Sequence, residues 1–96
     1  MARKDGYRKQ ARILRILANE SRLAIVDLLR EKERNVSEIV DRLGLDQSTV
    51  SKHLAMLRNA GLVEDKRSGN RVVYALALPC VLEVCSCVDR VLDERS

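Results

Sequence analysis

The chain has 96 residues, of which 46% are hydrophobic and 33% charged, and its formal net charge is +4. This length predicts a single domain over residues 1–96, with a small core that a dimer interface would extend. Tyr7 and Tyr74 are the only aromatic residues, so the core must be aliphatic and binding that stacks bases on aromatic rings is excluded. Duplex DNA is therefore a better nucleic-acid partner than RNA or single strands.

The charge is unevenly distributed along the chain. Residues 1–15 include six basic residues and one acidic residue, whereas residues 78–96 include two basic and four acidic residues. The basic end is the candidate for contact with a polyanion. No run approaches the roughly 20 apolar residues of a membrane span, and the first residues lack the apolar core of a signal peptide. We therefore expect a cytoplasmic protein with no membrane partner.

The first helix is predicted over residues 7–18, after a polar tail, residues 1–6, that we expect to be disordered. Three apolar residues recur at helical spacing on one side: Ile13, Leu14 and Leu17. Three basic residues lie on another side: Arg8, Arg12 and Arg15. This basic side either contacts phosphate or is an ordinary solvated face.

The second helix is predicted from Glu20 to about Lys32. Asn19 is suited to cap its first turn, and Glu20 lies favourably at the positive end of the helix. Four apolar residues supply core: Ile25, Val26, Leu28 and Leu29. The polar residues 31–35 then form the edge of a loop, without a domain boundary.

Residues 36–61 have the pattern of a helix-turn-helix unit. A short amphipathic helix over residues 36–43 ends at Gly44. A longer helix follows over residues 46–61, for which Asp46 is a candidate N-cap. Its buried side is an apolar stripe made of Val50, Leu54 and Leu57.

The opposite side of this longer helix carries small and hydrogen-bonding side chains, so it can lie close against the major groove of DNA. Backbone N–H groups at its start suit phosphate, and its early side chains suit base edges. We predict that five residues contact DNA: Gln47, Ser48, Thr49, Ser51 and Lys52. The charge of Asp46 opposes this interaction, because it faces the same phosphates.

After Gly61 the hydrophobic period changes from 3.6 to 2, which predicts a β-hairpin with strands 62–67 and 71–76. Three residues of the second strand are expected to face the core: Val72, Tyr74 and Leu76. Three residues near the tip are predicted to contact DNA: Arg67, Asn70 and Arg71. A hairpin directly after a helix-turn-helix is typical of a wing, although basic flanks alone would fit an ordinary surface hairpin.

Pro79 is suited to begin a final helix, which we predict from Cys80 to Glu94 within a dimerisation segment, residues 79–94. Its apolar stripe is broad for a terminal helix: Val81, Val84, Val88, Val91 and Leu92. An exposed apolar stripe favours association, so we assign part of it to a homodimer interface. The predicted fold is mainly α, with five helices and a hairpin wing.

The order of elements and the motifs together resemble the ArsR/SmtB family of winged-helix repressors. The matching segments are Asn19-Glu20-Ser21-Arg22-Leu23, Ser37-Glu38-Ile39, Leu43-Gly44-Leu45, Gln47 through Leu54, Leu57, and Ala60-Gly61-Leu62-Val63. The resemblance implies a homodimer joined through the first and last helices. It also implies a repressor that binds an operator and is released by a ligand, often a metal ion or arsenite.

The chain departs from the family at both of the family's usual metal sites. The thiolate pair of the first helix of the helix-turn-helix is absent from residues 35–39, and the last helix has no histidine for zinc. Cys80, Cys85 and Cys87 are then the soft-ligand candidates, and thiolates suit arsenite or another thiophilic ion. We expect them to be reduced in the cytoplasm, and we predict no obligatory cofactor.

Helix geometry limits how these cysteines could bind one ion. Cys85 and Cys87 point about 200° apart on a regular helix, and Cys80 and Cys87 are roughly 10.5 Å apart along it. Two sulfurs on one ion cannot be more than about 4.6 Å apart. Binding therefore requires unwinding near Pro79, or a partner helix that brings Cys80 of one subunit beside Cys87 of the other. Cys85 is either a third ligand or a small core residue.

Several other functions compete with this interpretation. A redox or persulfide switch at the same cysteines is an alternative, as is a regulator without a metal effector. His53 lies at the edge of the apolar stripe, where packing or a hydrogen bond to the backbone or to phosphate is favoured over metal ligation. An enzyme is disfavoured, because the chain lacks a phosphate-binding loop and a nucleophile with a matching histidine. A winged helix used only for protein contacts remains a further alternative.

Overall fold

The computed structural model describes residues 4–95, which form five helices and one antiparallel hairpin. The elements in chain order are α1 (Lys4–Leu17), α2 (Glu20–Glu31), α3 (Val36–Leu43), α4 (Gln47–Asn59), β1 (Val63–Ser68), β2 (Arg71–Leu76) and α5 (Val81–Arg95). The predicted fold class is confirmed. In the described residues, no helix is both long and apolar enough to cross a membrane.

The core is aliphatic and is centred on α4. The apolar stripe of that helix, Val50, Leu54 and Leu57, is fully buried, as its spacing predicted. Ile25 of α2 and Ile39 of α3 pack in the same cluster and are equally buried. Because one side of α4 is held by neighbouring helices, its opposite side is presented to solvent.

Capping side chains define the starts of α2 and α3. The side chain of Asn19 accepts a hydrogen bond of 3.1 Å from the backbone N–H of Arg22, which confirms its predicted role. Asn35 and Glu38 form a reciprocal capping box at α3, with bonds of 2.9 and 3.0 Å. Gly44 ends α3 in the left-handed region at φ +68°, as the turn requires.

The two strands pair from Val63↔Leu76 to Ser68↔Arg71. Gly69 is the first of the two turn residues and has φ +63°, which suits a two-residue hairpin of type II′. Tyr74 and Leu76 pack against the core, as predicted. Val72 differs from the prediction, because it is only half-buried and does not belong to the core cluster.

Several boundaries differ from those predicted from the sequence. Helix α1 begins at Lys4, so residues 4–6 of the predicted disordered tail are helical, and Asp5 lies favourably in its first turn. Residues 1–3 of that tail lie outside the described part of the chain. Helix α5 begins at Val81, so Cys80 lies in the turn before the helix rather than within it. The bonds from Leu82 N to Pro79 O and from Glu83 N to Cys80 O, both 3.0 Å, span three residues and form this turn.

Candidate functional site

Helix α4 presents the face on which the sequence predicted DNA contacts. Four of the five predicted residues on it are exposed: Gln47, Ser48, Ser51 and Lys52. Thr49 is half-buried. The start of α4, the end of a helix that favours phosphate, lies at the same end of this face. The side chains available there can donate to phosphate oxygens and to base edges.

Asp46 does not cap α4 with its side chain, which corrects the prediction. Its backbone is extended immediately before the helix, and the hydroxyl of Ser48 donates a 3.0 Å hydrogen bond to its carboxylate. Hydrogen bonds from the hydroxyls of Thr49 and Ser48 hold the pKa of Asp46 below its ordinary value. The carboxylate is therefore ionised at neutral pH, and it orients two of the predicted DNA-contacting side chains.

The wing follows α4 and is joined to the rest of the domain by ion pairs. Arg58 of α4 lies 3.6 Å from Asp65 of β1, and Lys66 of β1 lies 2.9 Å from Glu33 in the loop after α2. Contact with Glu33 raises the pKa of Lys66. The predicted contact residues at the tip are all exposed: Arg67, Asn70 and Arg71. The two ends of the wing thus differ, because ion pairs of either polarity join its first strand to the domain while its basic tip faces solvent.

His53 contacts Arg22 of α2, and no sequence pattern predicted this contact. Nη1 of Arg22 lies 3.2 Å from Nδ1 of His53, and the same nitrogen donates to the sulfur of Met56 at 3.3 Å. Burial, followed by the charge of Arg22, lowers the pKa of His53. The partner differs from the backbone group or phosphate expected from the sequence, because it is a side chain of α2. Sequence spacing gave no sign of it, because the two residues are 31 positions apart.

The three cysteines are not brought together within one subunit. Cys80 and Cys87 are exposed and Cys85 is half-buried, and Cys80 precedes the helix that carries the other two. Among residues 4–95, no group of three His, Cys, Asp or Glu side chains could hold a metal ion. A site for a thiophilic ion would therefore need rearrangement or ligands from a second subunit.

An apolar hollow of about 490 Å³ lies between α1, α2 and α5. Leu14, Leu23 and Val88 line it, and each is 40–52% exposed. Cys85 lies in its wall. The hollow continues into the exposed apolar residues of α5, so α1, α2 and α5 share one uncovered apolar surface. We call this surface the α1–α5 face, and it includes Leu14, Leu23, Val84 and Val88. Such a surface on a chain of this size favours association.

Comparison with known proteins agrees with this architecture. The family model described as "Bacterial regulatory protein, arsR family" matches residues 19–65. The HTH-type transcriptional regulator Rv0081 of Mycobacterium tuberculosis is 36% identical over 87 residues, covering 90% of this chain and 76% of the relative. Its crystal structure superposes with a TM-score of 0.83 at 35% identity, over 92% of this chain and 89% of the other.

Two further proteins are similar to this chain. The HTH-type transcriptional repressor SmtB of Mycobacterium tuberculosis is 51% identical over 65 residues, which are 68% of this chain and 48% of the relative. The homodimeric winged helix-turn-helix DNA-binding domain of Mb0332 from Mycobacterium bovis, solved by NMR, has a TM-score of 0.85 at 38% identity. That match covers 99% of this chain and 89% of the other.

Proposed function

Because this chain belongs to the arsR family of bacterial regulatory proteins, we propose that it is a homodimeric repressor that leaves its operator when an effector binds. The family makes it a DNA-binding transcriptional regulator rather than an enzyme. Repression, the effector and the contact residues are the proposed parts. The observation that carries the contact residues is α4, which has one fully buried side and an opposite side of exposed hydrogen-bonding groups next to a basic wing.

The proposed contacts divide into two classes. Five residues at the start of α4 enter the major groove: Gln47, Ser48, Thr49, Ser51 and Lys52. Three residues of the wing contact the backbone of the neighbouring DNA: Arg67, Asn70 and Arg71. Residues of the first class determine which DNA sequence is bound, while residues of the second class add affinity that depends on the salt concentration.

Footprinting on the DNA upstream of the protein's own gene tests the operator. Lys52→Ala should cost about 1–3 kcal/mol of binding free energy and relax specificity at one position, whereas Arg71→Ala should weaken all sequences and flatten the salt dependence. Arg30→Ala is a matched control, since Arg30 is an exposed cation of α2 paired with Asp27. Unchanged affinity after both Lys52→Ala and Arg71→Ala would rule out this groove assignment.

Transcription in vitro tests the direction of regulation. Added protein should lower transcription from the footprinted promoter, as the name of the relative SmtB supports. A rise in transcription would identify an activator. Binding of no duplex at low salt would favour a winged helix that makes only protein contacts.

The proposed dimer forms through α1 and α5. The support is the α1–α5 face, where Val84 and Val88 are 43% and 52% exposed, together with the homodimeric Mb0332 domain. A twofold dimer would place two α4 helices on half-sites about 34 Å apart, one turn of DNA. The footprint should then show two related half-sites at that spacing.

The proposed effector is arsenite or another thiophilic ion that binds Cys80 and Cys87, with Cys85 as a possible third ligand. Since the thiols are apart within one subunit, the ligands would come from two subunits or from a rearranged turn at Pro79. Cys80→Ser and Cys87→Ser should abolish release from the operator. An unaffected Cys85→Ser would indicate a two-thiolate site, and loss in all three variants would indicate a three-thiolate site.

A redox or persulfide switch uses the same thiols and is the second candidate, favoured by the exposure of Cys80 and Cys87. Release by oxidant or polysulfide, but by no metal or metalloid, would select it. An unchanged response to arsenite in the triple serine variant would exclude the cysteines as arsenite sensors.

A further inference from the structure

Arg22 connects the end of α1 to the middle of α4. Its Nε donates to the backbone carbonyl of Ile16 at 2.5 Å, in the last turn of α1. Its Nη1 lies 3.2 Å from His53 Nδ1 and 3.3 Å from Met56 Sδ, both on α4. The guanidinium of Arg22 therefore joins α1 to α4, two helices that are far apart in the sequence.

The chemistry of this contact requires a neutral His53. A guanidinium only donates hydrogen bonds, so Nδ1 of the ring must be the acceptor and the ring proton must lie on Nε2. A protonated imidazole has no acceptor, and it would place two cations 3.2 Å apart. Protonation of His53 would thus replace an attraction with a repulsion.

The surroundings of His53 favour the neutral ring. Arg22 faces it from α2, and Arg12 of α1 lines a second hollow, of about 340 Å³, together with Met56 of α4. Lys52 precedes His53 on α4 itself. All three are cations. Burial lowers the pKa of His53, and of these cations it is Arg22 that lowers it further, so the contact is intact at neutral pH.

We propose that Arg22 is a positioning residue for DNA binding, which sets the position of α4 against the end of α1 through neutral His53, and that this position shifts when His53 is protonated. The DNA part of this inference rests on the proposed function. Since α1 belongs to the proposed dimer interface and α4 to the DNA interface, the contact also joins these two surfaces. Lysine cannot replace Arg22, because one ammonium group lacks the extended fork that reaches both helices.

NMR of the full chain tests the contact without DNA. His53 is the only histidine in the sequence, so every imidazole signal in the spectrum belongs to it. The ¹⁵N shifts should show the proton on Nε2 and a pKa below 6.5. Arg22→Leu should raise that pKa and mix the tautomers, while Arg30→Leu, which removes an exposed cation of the same helix, should change neither. A proton on Nδ1 in the wild type, or ring signals indifferent to Arg22→Leu, would overturn the contact.

Operator affinity tests the functional role, using a duplex selected by the wild type from a random-sequence pool. Protonation of His53 adds a positive charge, and this charge alone would strengthen DNA binding as the pH falls. A shift in the position of α4 should instead weaken wild-type binding at least about fivefold as His53 becomes protonated. His53→Gln keeps an acceptor but cannot titrate, so its affinity should lack this fall. Arg22→Lys should bind weakly even at pH values where His53 is neutral.

The outcomes separate this role from the proposed function. If the wild type bound no duplex, both the repressor and this DNA role would be wrong. If the wild type bound normally and His53→Gln had the same pH profile, only the role of Arg22 would be wrong. Restored affinity in His53→Gln at low pH, with intact binding near neutrality, would support it.

Discussion

Arg34 and Tyr74 pair through their backbones, with Arg34 N donating to Tyr74 O at 3.0 Å and Tyr74 N donating to Arg34 O at 2.8 Å. The Arg34 side chain is only 2% exposed, and its Nε donates to the carbonyl of Leu28 at 3.1 Å. Its Nη2 donates to the carboxylate of Glu31. One residue thereby satisfies a carbonyl in the last turn of α2 and attaches β2 of the wing to the domain.

Replacing Arg34 with methionine should therefore destabilise the domain. The carbonyl of Leu28 would lose its buried donor, which costs about 1–3 kcal/mol in the free energy of unfolding. Urea denaturation measures the loss. Arg30→Met is the control, because that side chain is exposed and its ion pair with Asp27 contributes little. Equal stability of the two variants would contradict the role assigned to Arg34.

The part of this fold that could be predicted from the sequence is the part governed by local patterns. The stripe of Val50, Leu54 and Leu57 and the cap at Asn19 follow from spacing within one helix, and both are confirmed. The contacts of Arg22 and Arg34 depend on helices that meet only in the folded chain. Arginine usually lies in solvent, so a buried arginine gives no signal in a sequence pattern.

The exposed face of α4, where we propose the DNA contacts, was predictable for the same local reason, whereas the side-chain geometry at its start was not. Asp46 was predicted as a cap because of its residue type and position. In the structure its carboxylate instead accepts from the Ser48 hydroxyl. The hydroxyl of Ser48 is two residues along the chain from Asp46, and the backbone N–H that a cap would bind is that of Thr49, three residues along. Sequence spacing does not decide between these two donors.

The left-handed conformation of Gly44 should make the turn between α3 and α4 sensitive to substitution. At φ +68° an added Cβ strains the backbone, although no atom lies within 4 Å of its position. Gly44→Ala should therefore cost about 1–2 kcal/mol through backbone strain alone. Gly44→Asn should cost less, because asparagine tolerates this region. Thermal unfolding that ranked alanine above asparagine would contradict the argument.

Asp46 should limit DNA affinity while it orders the start of α4. Its lowered pKa keeps the carboxylate charged at neutral pH, where it repels phosphate. Asp46→Asn should therefore strengthen binding to all duplexes and steepen the salt dependence. The same change should lower stability slightly, because a negative charge favours a helix N-terminus. Weaker binding confined to one operator position would instead indicate that Asp46 contacts a base.

A charge in the α1–α5 face should prevent the proposed dimer. Val88→Glu introduces a carboxylate into the apolar hollow lined by Leu14 and Leu23, and burying it against a partner would be costly. Ser86→Glu adds the same charge to an exposed position about 160° away around α5. Sedimentation should show a monomer for Val88→Glu and a dimer for Ser86→Glu. A tight dimer of Val88→Glu would assign the interface to another surface.

The cysteines should differ in their rates of alkylation, because Cys80 and Cys87 are exposed whereas Cys85 is half-buried in the wall of the hollow. Iodoacetamide followed by mass spectrometry of the peptides should find Cys85 modified last. If the α1–α5 face is the dimer interface, Val88→Glu should increase the rate of alkylation at Cys85 and leave that at Cys80 nearly unchanged.

Arsenite should protect Cys80 and Cys87 together from alkylation, since a shared ion binds both thiolates. Protection of one of them alone would exclude a site that joins the two, and equal rates at all three in the wild type would remove Cys85 from the interface.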